Sequence, residues 1–156
     1  MLPWYYRLIV YGMVGWSLEI IFTCIYSLVD GTGDARLLGV SYLWMFPIWA
    51  MGFFVADIAQ GALKELKIPY VLRLWGYVLN CYLIEYGTGA LIQYLTGTCP
   101  WDYSNANWNV HGLIRLDYIF FWYIAAMFAE WFTSILRRTR ILTKEEYPKC
   151  QRCLEF

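Results

Sequence analysis

Four acidic residues lie singly within four long apolar stretches of the chain. The acids are Glu19, Asp57, Glu85 and Glu130, and the stretches cover residues 8–29, 37–63, 74–101 and 118–136 with no other Lys, Arg, Asp or Glu. A carboxylate near the centre of a bilayer costs about 2.5 kcal/mol or more, so it normally faces the interior of a helix bundle or a water-filled cavity. The spacing therefore predicts an acidic site inside a membrane domain.

The same stretches predict the elements that hold these acids. Hydrophobic residues make up 60% of the 156-residue chain and charged residues only 15%, whereas soluble domains carry about 25% charged residues. Each stretch is long enough to cross a hydrocarbon layer about 30 Å thick. We expect an all-α integral membrane protein with four transmembrane helices at about 5–29, 40–63, 70–95 and 114–136, the second kinked at Pro47. The formal net charge of zero argues against a nucleic-acid partner.

Two of the acids are expected near the middle of the membrane. Glu19 and Glu85 both lie about ten residues from the outer ends of their predicted helices, at a rise of about 1.5 Å per residue. No Lys or Arg shares that depth, so the pair predicts a site for protons or cations, or a polar recess for a lipid headgroup or small substrate. The alternative is that protonated carboxyl groups only hydrogen-bond neighbouring helices.

The other two acids are expected closer to the inner surface. Asp57 and Glu130 lie about six residues from the inner ends of their predicted helices, and Arg73 enters the third helix at a similar level. We expect an ion pair there and favour a structural role for it.

The two halves of the chain resemble each other. An offset of 66 residues aligns Glu19 with Glu85, and an offset of 73 aligns Asp57 with Glu130. Further matches are Leu8 with Leu74, Tyr11 with Tyr77, Gly31 with Gly97, Thr32 with Thr98, Gly39 with Gly112, Leu43 with Leu116, Trp49 with Trp122, Ala56 with Ala129 and Leu63 with Leu136. The matches predict two repeated helical hairpins, at about 5–63 and 70–136, around a pseudo-two-fold axis along the membrane normal. Chance coincidence between two apolar, aromatic-rich segments is the alternative.

Basic residues are unequally divided between the two sides of this topology. The side that carries both termini and the loop after the second helix has Arg7, Lys64, Lys67, Arg73, Arg137, Arg138, Arg140, Lys144, Lys149 and Arg152, while the other side has Arg36 and Arg115. The positive-inside rule predicts cytoplasmic N- and C-termini, with 138–156 as a basic tail. Cys150 and Cys153 in that tail form a Cys-x-x-Cys without a second ligand pair, which favours reduced thiols over a zinc site.

The segment between the third and fourth helices offers a different kind of site. Residues 97–111 are rich in Asn and Trp and predict a loop at the membrane interface. Asp102, Tyr103, His111, Arg115 and Asp117 supply acid, base and phosphate-facing groups, so one alternative function is a membrane enzyme acting on lipid headgroups at the outer rim. The single histidine and the lack of nucleophile, Walker and dinucleotide motifs favour a protein that is not an enzyme, without cofactor or metal.

Particular motifs also resemble known families. CPWDYS at 99–104 and GLIRLDY at 112–118 resemble the transmembrane protein 229 family. GWSLE at 15–19, LG at 38–39 and Pro47 resemble the related bacterial Putative ABC-transporter type IV family, which extends the likeness over about 5–137. The resemblance implies a four-span integral membrane protein without an assigned reaction. It marks Glu19, Trp101, Asp102, Tyr103 and Gly112 as family-motif positions.

These features predict a permease-like or lipid-handling accessory subunit with a buried acidic site between its repeats. We expect it to contact membrane lipids and to form a homo-oligomer or join a larger membrane partner, because four helices enclose only a thin path. The sequence has no Walker motif, so ATP-driven transport would need such a partner. A purely structural membrane adaptor is the remaining alternative.

Overall fold

The computed structural model describes residues 2–140, and it is built almost wholly from helices. The helices are α1 (Trp4–Val29), α2 (Met45–Glu65), α3 (Tyr70–Thr96) and α4 (Ile119–Arg138), and two short strands, β1 (Asn109–Val110) and β2 (Ile114–Arg115), precede α4. Three segments are long and apolar enough to cross a membrane: Trp4–Val29, Met45–Glu65 and Leu116–Arg138. The chain is therefore an all-α protein with three candidate membrane-spanning helices among the described residues.

Helix α2 packs against each of the other three helices, and α3 also packs against α4. One buried cluster joins α2, α3 and α4 around Ala56, Leu74 and Ala126. A second cluster joins α1, α2 and α4, with the ring of Tyr11 stacked on that of Phe53 at 5.6 Å between centroids. Many large apolar side chains on the outer faces remain exposed in the isolated chain, as expected for helices that face lipid.

Small residues allow α1 and α2 to approach closely. A Cβ atom added at Gly15 would lie 2.5 Å from Cβ of Trp49, and one added at Gly12 would lie 2.8 Å from the ring of Phe46. Both glycines are buried. Without side chains at these two positions, the aromatic residues of α2 rest directly on the α1 backbone, which is the usual role of small residues at membrane helix interfaces.

The predicted start of the second helix was wrong, and the reason for its predicted kink is absent. Residues 40–44 are not helical, and Val40 is instead held by Thr23, whose hydroxyl accepts its N–H at 3.0 Å and donates to its carbonyl at 2.8 Å. Because α2 begins at Met45, Pro47 lies in the first helical turn. The N–H groups of that turn have no partner within the helix, so proline removes no hydrogen bond there and causes no kink.

The predicted start of the fourth helix was also wrong. Residues 114–115 form β2 and pair with β1, and 116–118 form a single 3-10 turn before α4. His111 and Gly112 both have positive φ, at 53° and 68°, and the N–H of Leu113 bonds the carbonyl of Val110 at 3.0 Å. Two positive φ angles inside a four-residue turn define the hairpin geometry that turns the chain back before the helix.

The greater part of the predicted tail lies outside the described residues. The helix preceding it ends at Arg138, and Cys150 and Cys153 lie outside the described residues.

Candidate functional site

Charged side chains join the helices at the end of the bundle that carries both termini of the helical domain. Asp57 on α2 is fully buried, and its carboxylate accepts hydrogen bonds from Arg7 on α1 and Arg137 on α4. Arg137 also donates to the carbonyl oxygen of Asp57. One buried anion therefore ties three helices together, with two guanidinium groups to compensate its charge.

Glu130 on α4 forms the second charged group at this level. Its carboxylate accepts three hydrogen bonds from Arg73 on α3, the shortest at 2.6 Å, and Nζ of Lys64 lies 3.6 Å away. Between the two ion pairs, the buried Gln60 donates to the carbonyl of Glu130 at 2.8 Å and to the hydroxyl of Thr133 at 3.1 Å. The expected contact of Arg73 with an acid is present at Glu130, whereas Asp57 uses two other arginines.

A central cavity of about 560 Å³ lies between the four helices. Its walls are mostly apolar and aromatic, and they come from every helix and from the loop before α4. Glu19 of α1 and Glu85 of α3 both line it. Within residues 2–140 neither carboxylate has a Lys or Arg partner within salt-bridge distance, in contrast to Asp57 and Glu130.

The two cavity carboxylates differ in their hydrogen bonds. Oε2 of Glu19 accepts a hydrogen bond from the indole N–H of Trp49 at 2.7 Å. Oε2 of Glu85 is buried without any hydrogen-bond partner in the described part of the chain. The indole N–H of Trp122 is likewise buried and has no acceptor among these residues. The two indole rings lie side by side in the middle of the bundle, with 5.9 Å between their centroids.

The loop before α4 supplies a further wall of the cavity. Trp101 packs against Gly89 of α3, where an added Cβ would lie 3.0 Å from its ring, and its indole N–H bonds the carbonyl of Leu113 at 2.8 Å. Tyr103 also lines the cavity. Burial, followed by the charges of Glu85 and Glu19, raises the pKa of the Tyr103 phenol above its ordinary value, so this hydroxyl remains a neutral donor beside the carboxylates.

The other loop residues singled out by the sequence form a separate surface pocket. This pocket has a volume of about 320 Å³ and is lined by Asp102, Arg115 and Asp117 among others. Arg115 already forms hydrogen bonds at 2.8 Å with Asp117. His111 lies elsewhere, with its Nδ1 at 2.8 Å from the hydroxyl of Tyr86. The structure therefore does not bring the only histidine together with these acids.

Gly112 occupies a position in the loop before α4 where a side chain would not fit. The side-chain hydroxyl of Ser104 and its backbone N–H, which donates to the Asp102 carboxylate at 2.8 Å, lower the pKa of Asp102 below its ordinary value. A Cβ at Gly112 would lie 2.5 Å from the Ser104 hydroxyl and 3.0 Å from the Asp102 carboxylate. Trp101, Asp102 and Gly112 thus fold the loop that forms part of the cavity wall.

The comparison with known protein families covers nearly the whole chain. The sequence pattern of the family described as Putative ABC-transporter type IV matches residues 6–149. The chain belongs to this family. No solved structure matches it.

Sequence reasoning missed several residues that complete the site in this family member. Trp49 and Trp122 were not among the predicted site residues, although the indole of Trp49 donates to Glu19 and that of Trp122 is buried without a partner among residues 2–140. Their signal was present in the 73-residue offset, which aligns them just as it aligns Asp57 with Glu130. Arg7 was counted only as an inner basic residue, although it holds Asp57.

Proposed function

We propose that this protein is a permease-like or lipid-handling accessory subunit of the membrane, and that the central cavity with Glu19 and Glu85 is its cargo site. The observation that carries the proposal is a cavity of about 560 Å³ lined by two carboxylates without a cationic partner among residues 2–140. Buried acids in membrane proteins that lack a structural counter-ion commonly mark a pathway for ions or substrates. Membership of a transporter-type family agrees with this reading.

The proposal includes α3 as a fourth membrane span. It has 27 residues, hence a length of about 40 Å, and Arg73 and Glu85 are its only charged residues. Helix α3 packs against both α2 and α4, so its polar positions have protein neighbours. Four spans place both termini on the side with most Lys and Arg residues, which favours cytoplasmic termini.

The proposal also includes an origin from two repeated hairpins. The contact of Arg7 with Asp57 has a counterpart in the contact of Arg73 with Glu130, and the same offsets of 66 and 73 residues relate the two pairs. A chance alignment of apolar residues would not by itself produce two matched ion pairs. A cargo site between two repeats of equal orientation is a recurrent arrangement in transporters.

A partner is part of the proposal because the bundle is small. Four helices leave limited room for a complete solute path, so we propose self-association or a larger membrane protein beside it.

Reconstitution tests the cargo site directly. In proteoliposomes that contain the protein with its co-purified partners, we expect Glu19→Gln combined with Glu85→Gln to abolish proton- or cation-dependent flux. Asp34→Asn is the matched control, because Asp34 is an exposed acid whose partner Arg36 lies in the same loop. Equal flux in the wild type and the double variant, at equal protein density, would remove the cargo site from the proposal.

A further inference from the structure

The central cavity is not closed in the same way on all sides. Helix α1 packs closely against α2, whereas α3 and α4 pack against each other and against α2. The cavity therefore has two walls that close helix packing does not seal, one between α1 and α3 and one between α1 and α4. Side chains and loops make these two walls, and their thickness differs.

Buried residues close the wall between α1 and α3. Trp16 of α1 and Ile92 of α3 pack in one cluster with Met45, at the start of α2, and Trp101, from the loop before α4. Met45, Ile92 and Trp101 are all buried, and the indole of Trp101 is fixed to the carbonyl of Leu113. A packed layer therefore covers the cavity on this side.

Aromatic rings bridge α1 and α4 at two levels. The ring of Tyr11 lies 6.0 Å from that of Phe132, near the end of the bundle that carries the ion pairs. At the second level, the ring of Phe22 lies 5.2 Å from that of Phe121 and 5.8 Å from that of Tyr118. The three rings of the second level line the cavity, so they form its wall between α1 and α4.

This wall is only one side chain thick. Phe121 is 43% exposed and Ile124 is 50% exposed on the outer surface, yet both also line the cavity. Between the two levels of rings, α4 presents Ala125 to the cavity, and its side chain is a single methyl group. An opening between α1 and α4 would therefore require a change of side-chain rotamers, without separation of packed helices.

The thin wall lies at the depth of lipid acyl chains. Helix α1 and the segment Leu116–Arg138 are both long and apolar enough to cross a membrane. Phe22 lies seven residues before the end of α1 at Val29, which is about 10 Å along the helix axis. A hydrocarbon layer is about 30 Å thick, so the surface outside Phe22 and Phe121 would face lipid.

We propose that cargo enters the central cavity sideways from the lipid bilayer, between Phe22 and Phe121, and that this cargo is an amphiphile dissolved in the membrane. The inference rests on the proposed cargo site and names its cargo class. The mostly apolar walls suit such a molecule, and the volume of about 560 Å³ lies within the range of sites for small organic ligands, about 300–1,000 Å³. The cargo could be a phospholipid or a single-chain amphiphile.

Photolabelling of the full chain in phosphatidylcholine liposomes tests the source of the cargo. The liposomes contain a trace of either phosphatidylcholine with a diazirine in its acyl chain or a long-chain alcohol with the same group, and mass spectrometry identifies the labelled residues. We expect one or both probes to label Met45 and Phe53, which are buried and line the cavity. A water-soluble diazirine should not label them. Leu79 and Leu83, exposed on α3, should be labelled by the lipid probes in every sample.

A reversible bridge tests the route. Phe22→Cys and Phe121→Cys are combined in a chain whose five native cysteines are replaced by alanine, and a short bis-methanethiosulfonate joins the two thiols. Bridging should abolish the labelling of Met45 and Phe53, and dithiothreitol should restore it. The matched control is the same variant treated with methyl methanethiosulfonate, which caps both thiols without joining them. The wild-type labelling decides the source of the cargo even if this variant does not fold.

Three results would overturn the inference. They are failure of both lipid probes to label Met45 and Phe53 in the wild type, labelling of these residues by the water-soluble probe, and equal labelling in the bridged and capped variant. Labelling by the phosphatidylcholine probe would indicate a phospholipid as the source, and labelling by the alcohol alone would indicate a single-chain amphiphile; either supports the cargo class. Flux that depends on Glu19 and Glu85 without cavity labelling by either lipid probe would reject entry from the bilayer and retain the cargo site.

Discussion

The close contact of α1 with α2 predicts a specific cost for a single methyl group at Gly15. An alanine there would place its Cβ 2.5 Å from Cβ and 2.6 Å from Cγ of Trp49. Since carbon atoms pack best at about 3.5–4.0 Å, the helices would have to separate by roughly 1 Å. The hydrogen bond from Trp49 to Glu19, at 2.7 Å, would lengthen with that movement.

Gly52→Ala is the matched control for this change. Gly52 also lies inside a membrane-spanning helix, but its Cβ position has only Cδ1 of Ile84 within 4.0 Å. Replacing a helical glycine by alanine favours the helix by about 0.5–1 kcal/mol in both variants, so that gain cancels in their difference. Overpacking in a closely packed core costs about 1–3 kcal/mol, and we expect Gly15→Ala to be less stable than Gly52→Ala by this amount.

Reversible unfolding by SDS titration in mixed micelles measures the difference, and the indole resonance of Trp49 reports the hydrogen bond in the same samples. Equal stability of the two alanine variants would refute the close packing of α1 on α2. An unchanged Trp49 resonance in Gly15→Ala would show that the hydrogen bond from Trp49 to Glu19 does not depend on the close packing of α1 on α2.

Three further predictions concern the ion pairs and the loop before α4. Asp57→Asn should lower the free energy of unfolding by about 3 kcal/mol, because it leaves two arginines at a buried site without an anion, whereas Asp34→Asn, which removes an exposed charge, should have no measurable effect in the same SDS titration. The Asp102 carboxyl should titrate by NMR below its ordinary value of about 3.9; since its pKa is lowered by Ser104, its contribution to loop stability is complete above that pH and is lost as the pH falls through the lowered value. Gly112→Ala should destabilise the loop by about 1–3 kcal/mol, because φ is 68° there, and hydrogen exchange in 97–118 should increase while exchange in α1 does not.

The positions of the helices could be predicted from the sequence because charged residues end each apolar stretch. The start of α2 could not, since residues 40–44 are as apolar as a membrane span. Their conformation depends on the hydroxyl of Thr23, which is 17 positions away from Val40 and satisfies both of its backbone groups. A hydropathy pattern does not predict such a hydrogen bond between a side chain and a distant backbone group.

The candidate site could be predicted in part for a similar reason. The cost of a buried carboxylate directs attention to Glu19 and Glu85, which line one cavity. The hydrogen bond to Glu19 depends on the close approach of Trp49 to α1, which the missing side chain at Gly15 allows. The partners of Asp57 come from the ends of two helices distant in sequence, so only the packed bundle identifies them.

A structure of the protein in lipid nanodiscs, determined by cryo-electron microscopy, would test the proposed cargo site most directly. We expect Glu19 and Glu85 to line one cavity inside the helix bundle, with the indole N–H of Trp49 within hydrogen-bond distance of Glu19. Glu19 or Glu85 facing lipid, or the two acids on opposite sides of the bundle, would contradict the cargo site.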